Sequence, residues 1–147
     1  MPLFLDHARQ AIGDDRARMD RFLAGLAAYQ RFGWRRDLAE MPVAASAGSA
    51  VLRDYGGGGR PAVVVPSLVN RADVLDLTAE RSLLRYLAAR GVRPLLVDWQ
   101  SPGAAEAGLS VGGYVTERLR PLLDAVGEPL DLVGYCLGGT MALAAAS

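Results

Sequence analysis

The sequence contains one cysteine, one histidine and no lysine. A single thiol cannot close an intramolecular disulfide, so Cys136 fits a reducing compartment, and a cytoplasmic protein is expected. There is no excess of either charge. The 16 basic residues balance 16 acidic ones to a formal net charge of zero, which removes the main electrostatic case for nucleic acid or an anionic membrane. Every basic residue is arginine, which reads as coding bias and not as a phosphate-binding pattern. Long hydrophobic runs are missing too. The longest, around "PAVVVPSLV" and "TMALAAA", fall far short of the roughly 20 residues a membrane helix needs. The opening "MPLFLDHARQ" interrupts its short apolar stretch with Asp6 and has no basic n-region, unlike a secretory signal. Neither a membrane span nor a nucleic-acid partner is expected.

What the chain does have is apolar material arranged in two periods. Hydrophobic residues make up 51% and charged residues 22% of the 147, enough for one buried core and too much for disorder. Residues 14–32 place Phe22, Leu23, Leu26 and Ala27 on one helical face with arginines and aspartates opposite, the pattern of an amphipathic helix that caps a core. "MPVAASAGSA" reads as a loose connection of small residues. "VLRDY" reads as a short strand ended by the glycines of "GGGGR". That run predicts a flexible hairpin turn and not a phosphate loop, because no Lys-Ser or Lys-Thr follows.

From Pro61 the pattern changes. "AVVVP", "RPLLVDW" and "LDLVG" are short apolar runs, expected as buried strands. Between the first two, "TAERSLLRYLAARG" sets Leu83, Leu84, Leu87 and Ala88 on one face, with Thr78 as N-cap and Gly91 just past the end. "SVGGYVTERLRPLLDAVG" predicts a second helix from the N-cap Ser110 to Gly127, which Pro121 must kink or split. "LGGTMALAAAS" begins a third. Strands alternating with helices at roughly 30-residue spacing predict an α/β fold with a mostly parallel sheet and helices on both faces. Ligands of such sheets gather beyond the carboxyl ends of the strands, where Cys136 falls.

Gly134-Tyr135-Cys136-Leu137-Gly138-Gly139 stands between a strand and a helix. A nucleophile elbow turns so sharply there that the nucleophile takes strained backbone angles, and residues two before and two after it must be nearly free of side chain. Gly134 and Gly138 meet that demand around Cys136, while the N–H of Leu137 is placed to hold an oxyanion. The plain alternative is a core cysteine in an ordinary turn. The flanking strand and helix, with the parallel units upstream, favour the elbow. A thiol nucleophile also needs a base. His7 lies far upstream, in the N-terminal helical region, and is expected to be a surface or cap histidine. Asp98, at the end of the second strand, is expected to anchor a loop.

The stretches "VPSLVNRADVLDL", "SLLRYLAARGVRPLLVDWQSP", "LSVGGYV" and "LVGYCLGGTMALAAA" resemble the first catalytic half of poly(3-hydroxyalkanoate) synthases, from about Val65 onward. The resemblance implies an α/β-hydrolase fold, with residues 1–49 as an N-terminal helical cap and linker and residues 50–147 as the first half of the catalytic domain. It implies acyl transfer from hydroxyacyl-CoA thioesters through Cys136, with backbone oxyanion donors at Leu137 and in the turn at Leu68 and Val69. Gly134, Gly138 and Gly139 complete the elbow, and Asn70, Asp76 and Leu77 shape the loop after the first parallel strand. No metal and no cofactor are implied, coenzyme A entering as part of the substrate. The polymer granule or a second copy in a homodimer are the implied partners. Ser67 and Leu68 replace the family's proline and a bulkier residue, and Asp73 stands where a tyrosine is usual, which marks a divergent member.

Dienelactone hydrolases share the same type of elbow, so a cysteine hydrolase acting on lactones or esters stays open, as does a non-catalytic half-domain. The segments "NRADVLDL" and "DWQSP" favour the synthase. Its triad aspartate and histidine are absent from this chain and are expected after Ser147. The sequence therefore reads as a fragment with little or no turnover of its own.

Overall fold

A computed structural model describes residues 2–33 and 35–147. Two compact units follow one another along the chain, Met1–Arg35 and Arg36–Ser147. The first holds α1 (Pro2–Ile12) and α2 (Arg16–Arg31). Gly13, at φ 64°, ends the first helix, and the carboxylate of Asp15 accepts the Arg18 N–H at 2.9 Å to start the second. The ring of Phe4 packs on Phe22 with centroids 5.8 Å apart. The amphipathic stripe is present, yet no residue of α2 is buried: Phe22, Leu26 and Ala27 are half-covered and Leu23 is exposed.

The second unit is built on five strands, β1 (Val43–Ala47), β2 (Ala50–Asp54), β3 (Pro61–Val65), β4 (Arg93–Asp98) and β5 (Asp131–Gly134). Their order is β1-β2-β4-β3-β5. β2 pairs antiparallel with β1 and β4, and β3 pairs parallel with β4 and β5, so β2 alone runs against the rest. The sheet is mixed: β4, β3 and β5 pair in parallel, as the strand–helix alternation predicts, and β2 adds two antiparallel pairings.

Two features of the sheet depart from expectation. The stretch read as a loose connection contains β1, which pairs with β2 from Val43↔Arg53 to Ala47↔Ala50. Alanine and serine carry little strand propensity, so pairing and not local preference makes this strand. The hairpin turn is Gly48-Ser49, with Gly48 at φ 60°, and not the four-glycine run. Since β4 lies between β2 and β3, residues 55–60 must cross the start of β4. A Cβ on Gly57 or Gly59 would overlap the carbonyl oxygens of Val92 and Gly91. Close backbone approach, not turn flexibility, requires glycine there.

Side chains of β3 and β4 alternate between two cores. On one face Val63, Val65, Leu95 and Val97 pack with Leu52, Leu119, Leu122 and Met141. On the other, Val64 and Leu96 pack with Tyr55 and Leu84. Burying each such aliphatic side chain stabilises by about 1.5–3 kcal/mol. Leu84 comes from α3 (Leu83–Ala88), whose N-cap is Ser82 and not Thr78. Ser82 Oγ accepts the Arg85 N–H at 3.0 Å, while Thr78 Oγ1 accepts the Arg81 N–H in the preceding turn.

The helix on the first face begins at the expected N-cap, where Ser110 Oγ accepts the Gly113 N–H at 3.1 Å. It runs as α4 (Val111–Tyr114), a π-helical turn over Val115–Leu119 and α5 (Arg120–Asp124). The widened turn precedes Pro121, whose missing N–H and bulky ring forbid the regular α ladder at this point. α6 (Leu137–Ala146) supplies Met141 and Ala142 to the same core. β5, expected as a buried strand, is largely exposed. It holds the outer position of the sheet, where β3 is its one strand partner among the described residues.

Candidate active site

Adjacent parallel strands end side by side. Val65, the last residue of β3, pairs with Gly134, the last of β5, so the turns that follow them share one rim of the sheet. The first turn carries Ser67, Leu68 and Val69; the second carries Cys136 and opens α6.

Cys136 is exposed and sits at φ 57°, ψ −130°, in a region that non-glycine residues occupy at a cost of about 1–3 kcal/mol. Backbone hydrogen bonds over-determine this corner. The Tyr135 N–H donates to Val65 O at 2.9 Å, Gly138 N–H to Tyr135 O at 3.0 Å, and Gly139 N–H to Cys136 O at 2.9 Å. A Cβ on Gly134 would overlap Gly139, and one on Gly138 would overlap the carbonyls of Val65 and Pro66. Gly139 is different: a Cβ there would meet nothing nearer than 3.9 Å. Only the two glycines flanking Cys136 at two residues' distance are demanded by space.

Leu137 opens α6, so its N–H lies among the four that a helix cannot satisfy internally, and no acceptor takes it among the described residues. Helix N-termini present such N–H groups to anions. Of the two N–H groups expected as donors in the neighbouring turn, that of Val69 is engaged by Ser67 Oγ at 3.2 Å, while that of Leu68 has no acceptor among the described residues. The indole N–H of Trp99 donates to Pro66 O at 3.2 Å from the end of β4.

Beyond the turn lies a cavity of about 500 Å³, lined in part by Leu68, Val69, Asn70, Asp76, Asp98 and Trp99. Its floor is held by buried Asp76, which accepts hydrogen bonds from Arg85 Nε at 2.8 Å, Tyr55 OH at 3.0 Å and the Arg36 guanidinium. Burial pushes the Asp76 carboxyl up, but the hydrogen bonds from Arg85, Ser82, Arg36 and Tyr55 outweigh it and hold the pKa at about 2. Burial, together with the Asp76 charge, raises the Tyr55 hydroxyl far above its usual range. Asp98 anchors its loop as expected, accepting the Gln100 N–H at 3.1 Å and Arg53 Nε at 2.8 Å, with Gln100 at φ 55°. His7 is exposed on α1. Sequence reasoning marked Asp76 but missed its partners and missed Trp99. Arg36 and Tyr55 stand 40 and 21 residues away from Asp76, and no local pattern links them.

No family model matches the chain. Among curated proteins, the poly(3-hydroxyalkanoate) polymerase subunit PhaC of Haloferax mediterranei is 34% identical over 88 residues, 56% of this chain and 18% of that protein. The subunit of the same name from Cupriavidus necator is 32% identical over 87 residues, covering 56% and 15%. That of Synechocystis is 34% identical over 92 residues, covering 59% and 24%. The chain thus spans less than a quarter of the length of these relatives. Among solved structures, an alpha/beta hydrolase from a Mar Chica lagoon metagenome superposes with a TM-score of 0.54 at 24% identity, over 69% of this chain and 44% of that one. An evolved variant of potato epoxide hydrolase does so with 0.55 at 19% identity, over 74% and 35%. Over more than half its residues the chain is similar to poly(3-hydroxyalkanoate) polymerases, and its fold matches a part of the α/β-hydrolase fold.

Proposed function

We propose that this chain carries the nucleophile of a poly(3-hydroxyalkanoate) polymerase-type acyltransferase, and that Cys136 takes a hydroxyacyl group from a coenzyme A thioester. The observation that carries the reading is the exposed, strained Cys136 at a corner whose flanking glycines admit no side chain. Strained backbone of this kind clusters at active sites. The names of the relatives supply the polymer, poly(3-hydroxyalkanoate); the coenzyme A thioester is the activated form we propose for its hydroxyacyl unit.

In the step itself, Sγ attacks the thioester carbonyl carbon and gives up its proton. The carbonyl oxygen becomes a tetrahedral oxyanion, held by the N–H of Leu137 and by a second donor from the turn after β3. Collapse breaks the bond from carbon to the coenzyme A sulfur, and that sulfur leaves as the thiol with the proton. The loss of one oxyanion donor typically costs about 2.7–4 kcal/mol of transition-state stabilisation. In this single exchange the proton passes from Sγ to the departing sulfur through solvent water; the base that speeds repeated turnover, and the hydroxyl that takes the acyl group onward, belong to the whole polymerase.

Incubation with 3-hydroxybutyryl-CoA tests this reading. The expected outcome is release of free coenzyme A up to one equivalent per chain, abolished in Cys136→Ala. Release that persists in Cys136→Ala refutes it.

A further inference from the structure

Resting on the reading of Cys136 as acyl acceptor, we propose that Ser67 and Trp99 are positioning residues that aim the Leu68 N–H, and not that of Val69, at the oxyanion. The two N–H groups of this turn are not equivalent. That of Val69 is already spent on the hydroxyl of Ser67 at 3.2 Å, a side chain that is itself buried. The Leu68 N–H has no acceptor among the described residues.

The peptide unit that carries the Leu68 N–H lies between two clamped ones. Before it, the Pro66 carbonyl accepts the Trp99 indole N–H at 3.2 Å. After it, the Val69 N–H is fixed by Ser67. One unit earlier, the Val65 carbonyl accepts the Tyr135 N–H at 2.9 Å, which ties the turn to the corner that displays Cys136. Gly138 packs its bare Cα against the carbonyls of Val65 and Pro66, so both turns share this contact. Trp99 is itself buried and meets Tyr114 of α4 edge-on, ring centroids 6.0 Å apart and planes at 89°. Its indole therefore has one orientation, and a fixed donor is what a preorganised oxyanion site requires.

Comparing two reactions of the same sulfur isolates this role. Acylation by 3-hydroxybutyryl-CoA passes through an oxyanion; alkylation by iodoacetamide displaces iodide and does not. Trp99→Phe keeps the ring and removes the N–H, Ser67→Ala removes the hydroxyl, and Ser67→Thr keeps it. Trp99→Phe and Ser67→Ala should slow acylation of Cys136 by about tenfold or more, with alkylation changed by less than about twofold and Ser67→Thr close to the parent protein. Equal loss in both reactions, or no change in the ratio of the two rates, overturns the positioning role. A parent protein that alkylates at Cys136 but never acylates instead removes the nucleophile reading beneath it, and the proposal falls with it.

Discussion

Cys136 adopts backbone angles that glycine holds with less strain, and the residues around it differ in how strictly they are required. If the conformation is imposed by the corner, Cys136→Gly should be about 1 kcal/mol more stable to urea than Cys136→Ala, since both lack the sulfur and only one keeps the Cβ. Equal stabilities would mean that the corner is relaxed. The three glycines of the motif separate in the same way. Gly138→Ala drives a methyl into the carbonyls of Val65 and Pro66 and should destabilise by about 2 kcal/mol or more. Gly139→Ala makes only ordinary contact with Gly134 inside α6 and should be neutral, or stabilising by up to about 1 kcal/mol. Denaturant midpoints of the two variants check the contrast. Here the sequence was informative, because a sharp turn constrains residue type directly, but it could not distinguish the glycine that space demands from the one it tolerates.

At the scale of elements, the loop before α3 is tied to Arg36, Tyr55 and Arg85 through one buried carboxylate, that of Asp76. The pKa of Asp76 is held at about 2, below the ordinary 3.8, so on acidification the unfolded chain takes up this proton before the folded one does. The stability it contributes, about 2 kcal/mol, is complete above pH about 4 and is lost as the pH falls towards 2. Asp76→Asn should lower the urea midpoint at neutral pH and flatten its dependence between pH about 4 and 2. An unchanged acid dependence would remove Asp76 from this role. The elements that were legible are those whose local chemistry decides them: β3 and β4 from continuous β-branched and leucine runs, and α4 from Ser110 at its cap. β1 was not legible, because Val43–Ala47 becomes a strand only by pairing with β2. The N-cap of α3 moved from Thr78 to Ser82 because Ser82 also bridges to Asp76 in the adjoining loop.

At the scale of the whole molecule, strand order brings the site together. β3 enters the sheet only after the chain has crossed the start of β4, and β5 then pairs with β3, setting the Leu68 turn and the Cys136 corner on one rim. Alternating strands and helices made the α/β class readable. The crossing was not, because residues 55–60 look like a hairpin until β4 is known to lie between their neighbours. The sharp corner at Cys136 was readable from six consecutive residues, whereas the cluster beneath the cavity was not, since it is assembled from positions up to 40 residues apart. The most direct test of the account is peptide mapping by mass spectrometry after a single exposure to 3-hydroxybutyryl-CoA. The account predicts one hydroxybutyryl group, on the peptide that contains Cys136 and nowhere else. An unmodified Cys136 peptide, or an acyl group carried by another residue in its place, would contradict it.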